Sequence, residues 1–239
     1  MSLQGSKMKK IGLLGGMSWE SSLLYYKIIN EYSNSILGDL NTVETILYTV
    51  NFEVIEKLQH QNRWEEATNI LIEACQALER AGADFIVICT NTMHKLLPDI
   101  KKEVSLPFLH IAKATANAIK DDNVKRVLLL GTKFTMVEDF YKQLLIEEGI
   151  EVVIPKSKDI ETVHKIIYNE LCLGKVKEAS KKEYLRIINS FSDIEGVILG
   201  CTEIGILITQ KDLPIKVYDT TKIHALEAVK ISINLAFIN

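Results

Sequence analysis

The residues best suited to chemistry lie in two short stretches that repeat one another, "FIVICTNTMH" (85–94) and "GVILGCTEIG" (196–205). Each is an apolar run ending in a polar cluster that contains a thiol. A deprotonated thiol can act as a nucleophile or as a base, so the first question is which of Cys89 and Cys201 is placed to act. Laid over each other without gaps, Phe85 falls on Gly196 and Ile88 on Leu199. Cys89 then falls on Gly200, and Thr90 falls on Cys201. Successive strand side chains point to opposite faces, so one residue of register separates the two roles. Cys89 reads as a packing residue, and Thr90 as the counterpart of the second thiol. Cys201 directly precedes "TEIGILI". A helix beginning there would lower the thiol pKa through its N-terminal partial charge.

These clusters need elements to hold them. Strand-like segments occur at 10–15, 45–50, 85–90 and 107–111, and again at 126–131, 151–155, 196–201 and 215–219. They are uniformly apolar and alternate with helical patterns, which predicts an α/β fold with parallel sheets covered on both faces. In "RWEEATNILIEACQALERAG", Trp64, Ala67, Leu71, Ala74, Leu78 and Ala81 recur at helical spacing, and Gly82 stands where a left-handed cap belongs. "ETVHKIIYNELCLG" is a second such pattern, closed by Gly174. Cys75 and Cys172 fall in these helices and read as packing thiols. "KKIGLLGGMS" opens the first half and "VKRVLLLGTKFT" the second, while Pro107 and Pro214 each introduce a final strand. The halves thus read as two pseudo-symmetric lobes, each a four-stranded parallel sheet flanked by helices. Ligands of open α/β sheets bind beyond the carboxyl ends of the strands. Facing halves would present those ends to a shared cleft.

Composition excludes several other classes. The chain has 239 residues, 47% hydrophobic and 25% charged, with a formal net charge of -3. That gives no electrostatic case for nucleic acid, and no basic stripe carries interleaved aromatics. The apolar runs are strand-length, which argues against a membrane span. "MSLQGSK" (1–7) reads as an expression remnant, with native sequence beginning at Met8. The four cysteines are widely spaced and pair with no histidine, so neither a zinc site nor a disulfide framework is expected. A cytoplasmic protein with reduced thiols follows.

Anion-binding turns are the next candidates. In "GGMS", Gly15 and Gly16 let backbone approach a ligand, Met17 follows them, and Ser18 adds a hydroxyl. The same serine would serve as a helix N-cap. The glycines at 12, 15 and 16 do not make GxGxxG, so no dinucleotide site is read. Thr132 and Thr135 in "GTKFT" are the second-half counterparts of this turn, and Thr202 mirrors Asn91. Glu203 could tune Cys201, bind a substrate ammonium, or serve the first turn of a helix. Asp219 and His110 end equivalent last strands; His94, His110 and His224 read as structural.

"GLLGGMSWES" (12–21), "CTNTMHK" (89–95), "LLGTKFTM" (129–136), "ELCLG" (170–174) and "GCTEIG" (200–205), in this order and spacing, resemble the cofactor-independent aspartate/glutamate racemases. The similarity runs across nearly the whole chain from Met8. It implies a last helix that returns to the first lobe, hence lobes of 8–117 plus 220–239 and of 118–219. It also implies a homodimer, a small amino-acid substrate, and no cofactor. In most of the family two cysteines face each other across the substrate α-carbon. An α-proton is a very weak acid, so without pyridoxal the work falls to a closely held base and to donors that stabilise the enolate-like charge.

This chain resembles the branch with threonine in place of the first catalytic cysteine. The resemblance makes Cys201 the base for the L-enantiomer and places Thr90 opposite, with L-to-D conversion favoured. It assigns Asn91 and Thr92 to a substrate carboxylate, and Gln59 to a substrate contact. Some aspartate racemases carry a basic residue near "NFEVIEK" and a lysine two residues before the "ELCLG" glycine, where this chain has Cys172. Aspartate, glutamate and a broader amino-acid range therefore all stay open. So do another small-dicarboxylate chemistry and a catalytically impaired dicarboxylate- or amino-acid-binding protein.

Overall fold

The computed structural model describes residues 8–234. The expected remnant at 1–7, and the last part of the 220–239 segment, lie outside the described residues. The chain divides into two compact units. The first gathers residues 8–89, 96–110 and 224–234, and the second gathers 90–95 and 111–223.

In the first unit the order is β1 (Ile11–Gly15), α1 (Trp19–Leu37), β2 (Thr45–Thr49), α2 (Phe52–His60), α3 (Trp64–Arg80), β3 (Phe85–Ile88), α4 (Leu97–Glu103) and β4 (Phe108–Leu109). The strands form one parallel sheet in the order β2-β1-β3-β4. Its register sets Ile11 beside both Thr45 and Phe85, and Ile86 beside Phe108. Ile11, Leu13, Tyr25, Ile29, Phe85 and Val87 belong to one core cluster. The stripe predicted in α3 buries Ala67, Leu71, Ala74 and Leu78, and Cys75 is buried with them. Ala81 falls outside the stripe: it caps the helix and is exposed.

The second unit runs α5 (Ile111–Asp121), β5 (Arg126–Gly131), α6 (Lys133–Val137), α7 (Asp139–Glu147), β6 (Glu151–Val153), α8 (Ser157–Asn169), α9 (Glu178–Asn189), β7 (Gly196–Gly200), α10 (Ile204–Leu207), β8 (Lys216–Asp219) and α11 (Thr220–Ser232). The sheet order is β6-β5-β7-β8, again all parallel. Its core is built on Val127–Leu130, Val197–Leu199, Tyr141 and Tyr184. α11 begins in this unit, while Ala225, Ala228 and Val229 further along it lie in the core of the first.

Both sheets place the first strand second in order, so the connections leave β1 and β3, or β5 and β7, in opposite directions. That is a topological switch point, where the carboxyl ends of the strands open a crevice. "GGMS", "CTNT", "GTKFT" and "GCTE" follow these four strands. At the second switch point Gly131 pairs with Gly200, and a Cβ on Gly131 would stand 2.8 Å from the Gly200 carbonyl oxygen. Only glycine allows that approach.

The strands are shorter than the apolar runs suggest. β3 stops at Ile88 and β7 at Gly200, so Thr90 and Cys201 lie just past the sheet instead of on it. After β7 the Thr202 hydroxyl bonds the neighbouring Glu203 carboxylate, and after β3 the His94 ring bonds the Thr90 carbonyl; such local side-chain bonds compete with strand pairing. Likewise "ELCLG" is not a continuation of α8; a 3-10 turn over Leu171–Leu173 leads to Gly174, which is left-handed as expected. Among the described residues no helix is long and apolar enough to cross a membrane.

Candidate active site

Beyond β7 the chain places Cys201, Thr202 and Glu203 in succession. The Cys201 thiol donates to Glu203 Oε2 at 3.0 Å, and the Thr202 hydroxyl donates to the same oxygen at 2.6 Å. All three side chains are buried. Burial pushes the Cys201 thiol well above its ordinary pKa, and the Glu203 carboxylate and Cys172 push it further. This overturns the expectation of a thiol acidified by a helix N-terminus. α10 is a single turn (Ile204–Leu207), too short to build a useful macrodipole, and the nearest charge is a carboxylate. Cys201 is therefore a protonated thiol whose proton already points at an acceptor. Cys172 is half-buried and packs against the same core, within electrostatic reach of Cys201.

The segment after β3 belongs to the same unit as Cys201. Thr90 is half-buried between buried neighbours. Asn91 Nδ2 donates to Thr220 Oγ1 at 3.0 Å, and the Thr220 hydroxyl donates to the Leu199 carbonyl at 2.8 Å. A hydroxyl has one proton, and this one is spent on Leu199, so Thr220 receives from the Asn91 amide and the amide orientation is fixed. Among the described residues, Asn91 Oδ1 is buried with no hydrogen-bond partner. Such an oxygen calls for a donor. Next to it, Thr92, Thr132 and Thr135 form a triangle of hydroxyls, at 3.0, 3.3 and 3.2 Å. Thr132 also caps α6 by accepting from the Thr135 N–H. Hydroxyls that satisfy one another can turn their protons toward an incoming anion.

Gly16, Met17, Ser18 and Gln59 belong to the first unit, and all are buried. Gly16 has φ +91°, and a Cβ there would collide with the backbone of Val50, so only glycine fits. Its N–H donates to Ser22 Oγ at 2.7 Å, and Ser22 Oγ in turn donates to the Ser18 carbonyl at 2.9 Å. The Met17–Ser18 peptide is cis. Ser18 Oγ caps α1 by accepting from the Ser21 N–H, and the Ser21 hydroxyl donates to the Cys89 carbonyl at 2.9 Å. The internal order of this turn rests on Ser21 and Ser22, which residue type alone does not single out. Their signal was the i, i+4 spacing of hydroxyls in "SWESS". Gln59 sits on the buried side of α2.

Thus Thr92, Thr132 and Thr135 are joined by hydrogen bonds, as are Cys201, Thr202 and Glu203. Asn91 is linked through Thr220 to Leu199, two residues before Cys201. Cys89 is 1% exposed in the first core, and burial raises its thiol strongly, as befits a packing residue. Asp219 accepts from the Lys222 N–H at the start of α11 and lies tightly against Gly205, with its carboxyl raised by burial. In the first unit the His224 ring is held between the Tyr25 hydroxyl at 2.8 Å and the Leu109 carbonyl at 3.0 Å.

Residues 14–228 match the family of Asp/Glu/hydantoin racemases, and the chain belongs to it. The broad-specificity amino-acid racemase RacX of Bacillus subtilis (strain 168) is 25% identical over 220 residues, 86% of this chain and 91% of that protein. Two crystal structures share the fold at higher identity. An Asp/Glu racemase candidate from Yersinia pestis is 46% identical with a TM-score of 0.87, covering 94% of this chain and 99% of that one. An aspartate racemase homologue from Pyrococcus horikoshii OT3 is 41% identical with a TM-score of 0.82, over 94% and 99%.

Proposed function

We propose that this chain is a pyridoxal-independent racemase of aspartate or glutamate, with Cys201 the base for the L-enantiomer and Thr90 on the opposite face. The observation that carries the reading is the Cys201–Glu203 hydrogen bond. A thiol raised by burial is a poor base as it stands, but its proton has a carboxylate to move to. Transfer of that proton to Glu203 leaves a thiolate in a buried setting, where it is strongly basic toward an α-proton. Cys201 takes the α-proton from L-substrate. The electron pair of the broken C–H bond spreads onto the substrate carboxylate, which the Thr92, Thr132 and Thr135 hydroxyls would stabilise. Thr90 then passes a proton to the opposite face and recovers one from water. Glu203 releases its proton to the hydroxide so formed, and atoms and charge balance.

The orphan acceptor Asn91 Oδ1 suits the substrate ammonium, while the Asn91 and Thr92 backbone remains suited to a carboxylate. Thr202 holds Glu203 in place. Gly16, Met17, Ser18 and Gln59 remain assigned to substrate contacts, as the family resemblance implies. Enantiomers have equal free energy, so kcat/KM must be the same in both directions. The preference for L-to-D conversion therefore shows in kcat at saturation, balanced by KM.

The test is α-proton exchange in deuterated water, followed by NMR with each L-amino acid and no added pyridoxal. Exchange confined to aspartate or glutamate is expected. Exchange with many amino acids would replace this reading with a broad-specificity racemase. That alternative is favoured by Cys172 standing where some aspartate racemases carry lysine, and by the relationship to RacX. Binding without exchange would leave a binding protein. A cytoplasmic homodimer belongs to the same proposal. Trp19, Leu23 and Tyr26 share an exposed face of α1, which suits burial against a second copy. Sedimentation equilibrium on a Leu23→Glu variant would give monomer if that face is used.

A further inference from the structure

His94 reads as a structural histidine from sequence, yet its ring is bonded to the residue proposed to deliver the proton. It follows Thr90 by four residues, in the 3-10 turn Thr92–Leu96, and is 2% exposed. Its Nδ1 lies 2.9 Å from the Thr90 carbonyl oxygen. Its Nε2 lies 3.3 Å from the backbone nitrogen of Ile111, the first residue of α5. All three residues belong to the second unit. A carbonyl only accepts, so Nδ1 carries the hydrogen. An amide N–H only donates, so Nε2 offers its lone pair. The ring meets both demands in one neutral tautomer. First-turn N–H groups of a helix have no acceptor within it, and the Ile111 N–H finds one here. The His94 N–H also donates to the Asn91 carbonyl at 3.1 Å, closing the turn that carries Asn91 and Thr92.

We propose that His94 is a positioning residue for Thr90: its imidazole straps the Thr90 backbone to the start of α5 and so fixes where the Thr90 hydroxyl stands during proton delivery. The inference rests on the racemase reading and adds a residue to it. A hydroxyl delivers a proton only from a narrow range of positions, and displacement of about 1 Å can cost on the order of 100-fold in rate. Thr90 lies just past the end of β3, outside the ladder that would otherwise hold it.

Loss of α-proton from L-substrate into deuterated water, without inversion, needs Cys201 and Glu203 but no proton from Thr90. Inversion needs Thr90 as well. In His94→Leu, inversion should fall at least tenfold relative to washout, with washout kept within about twofold of wild type. In His94→Gln, whose amide presents one donor and one acceptor, most of the inversion should return. Equal loss of washout and inversion, or glutamine no better than leucine, would overturn the proposal. Imidazole ¹⁵N shifts of wild type give a readout independent of turnover. A neutral ring protonated at Nδ1 is expected, and one protonated at Nε2 would sink the strap. A wild-type protein that exchanges no amino acid would defeat the racemase reading and, with it, the catalytic consequence, whereas the ring tautomer still decides whether the strap exists.

Discussion

The corner after β3 and the corner after β7 are built on the same strand order, yet they carry opposite equipment. At the first position stands Thr90 in one and Cys201 in the other. Two residues on stand Thr92 and Glu203. Thr92 joins a ring of hydroxyls with Thr132 and Thr135, in which every member can donate. Glu203 gathers two donors, the Cys201 thiol and the Thr202 hydroxyl, onto one carboxylate oxygen. One corner is therefore rich in protons to give, and the other has a place to put one. In the proposed mechanism this divides acid work from base work between matched positions of a repeated scaffold.

The comparison breaks hardest at the thiol. Cys201→Ala should lose washout and inversion together by about 1,000-fold, within the range for removal of a general base; retained exchange with L-substrate would show that the base lies elsewhere. Glu203→Gln is next, with kcat lowered about 100-fold. Its signature is a paradox in sign. The Glu203 charge raises the Cys201 pKa, so its removal should lower the thiol titration followed by ultraviolet absorbance while the reaction slows. A faster variant would mean that Glu203 only suppresses the thiolate. Thr90→Cys would make the corners alike, and kcat for the D-enantiomer at saturation should rise about tenfold toward that for the L-enantiomer. An unchanged ratio would remove Thr90 as the source of asymmetry.

The smallest effect concerns stability and separates it from the corner chemistry. Burial lowers the His224 pKa to about 3, from an ordinary 6.5. Between those values the unfolded chain binds a proton that the folded chain refuses. Stability is thus full above pH 6.5 and falls as the pH drops below it. At pH 5 the loss from this group should be about 2 kcal/mol, measurable by urea unfolding. A flat stability between pH 7 and 5 would contradict it. Rates below pH 6 should be read beside that unfolding curve.

Much of the fold was legible because apolar runs and helical spacing report burial directly. "FIVI" and "GVILG" became central strands, and the stripe Ala67–Leu71–Ala74–Leu78 became the inner face of α3. The one-residue offset between the corners was legible too, since a repeat compares the chain with itself. Three things were not. Where the ladder stops depends on competing side-chain bonds that leave no periodic trace, so β3 and β7 end before their apolar runs suggest. The Cys201 environment depends on the length of α10, and "TEIGILI" looks like the start of a longer helix than it makes. The roles of Ser21, Ser22, Thr220 and His94 depend on partners distant in sequence or on backbone carbonyls, which no residue pattern names.

The one-way chain from Asn91 through Thr220 to Leu199 bears on which look-alike acids can compete for the site. If Asn91 Oδ1 receives the substrate ammonium as proposed, it sorts small acids by whether their α-substituent carries a hydrogen. Malate, with a hydroxyl where aspartate has its ammonium, can still supply one and should inhibit. Oxaloacetate, with a ketone there, would set oxygen against oxygen and should bind far more weakly, although the two differ by only two hydrogen atoms.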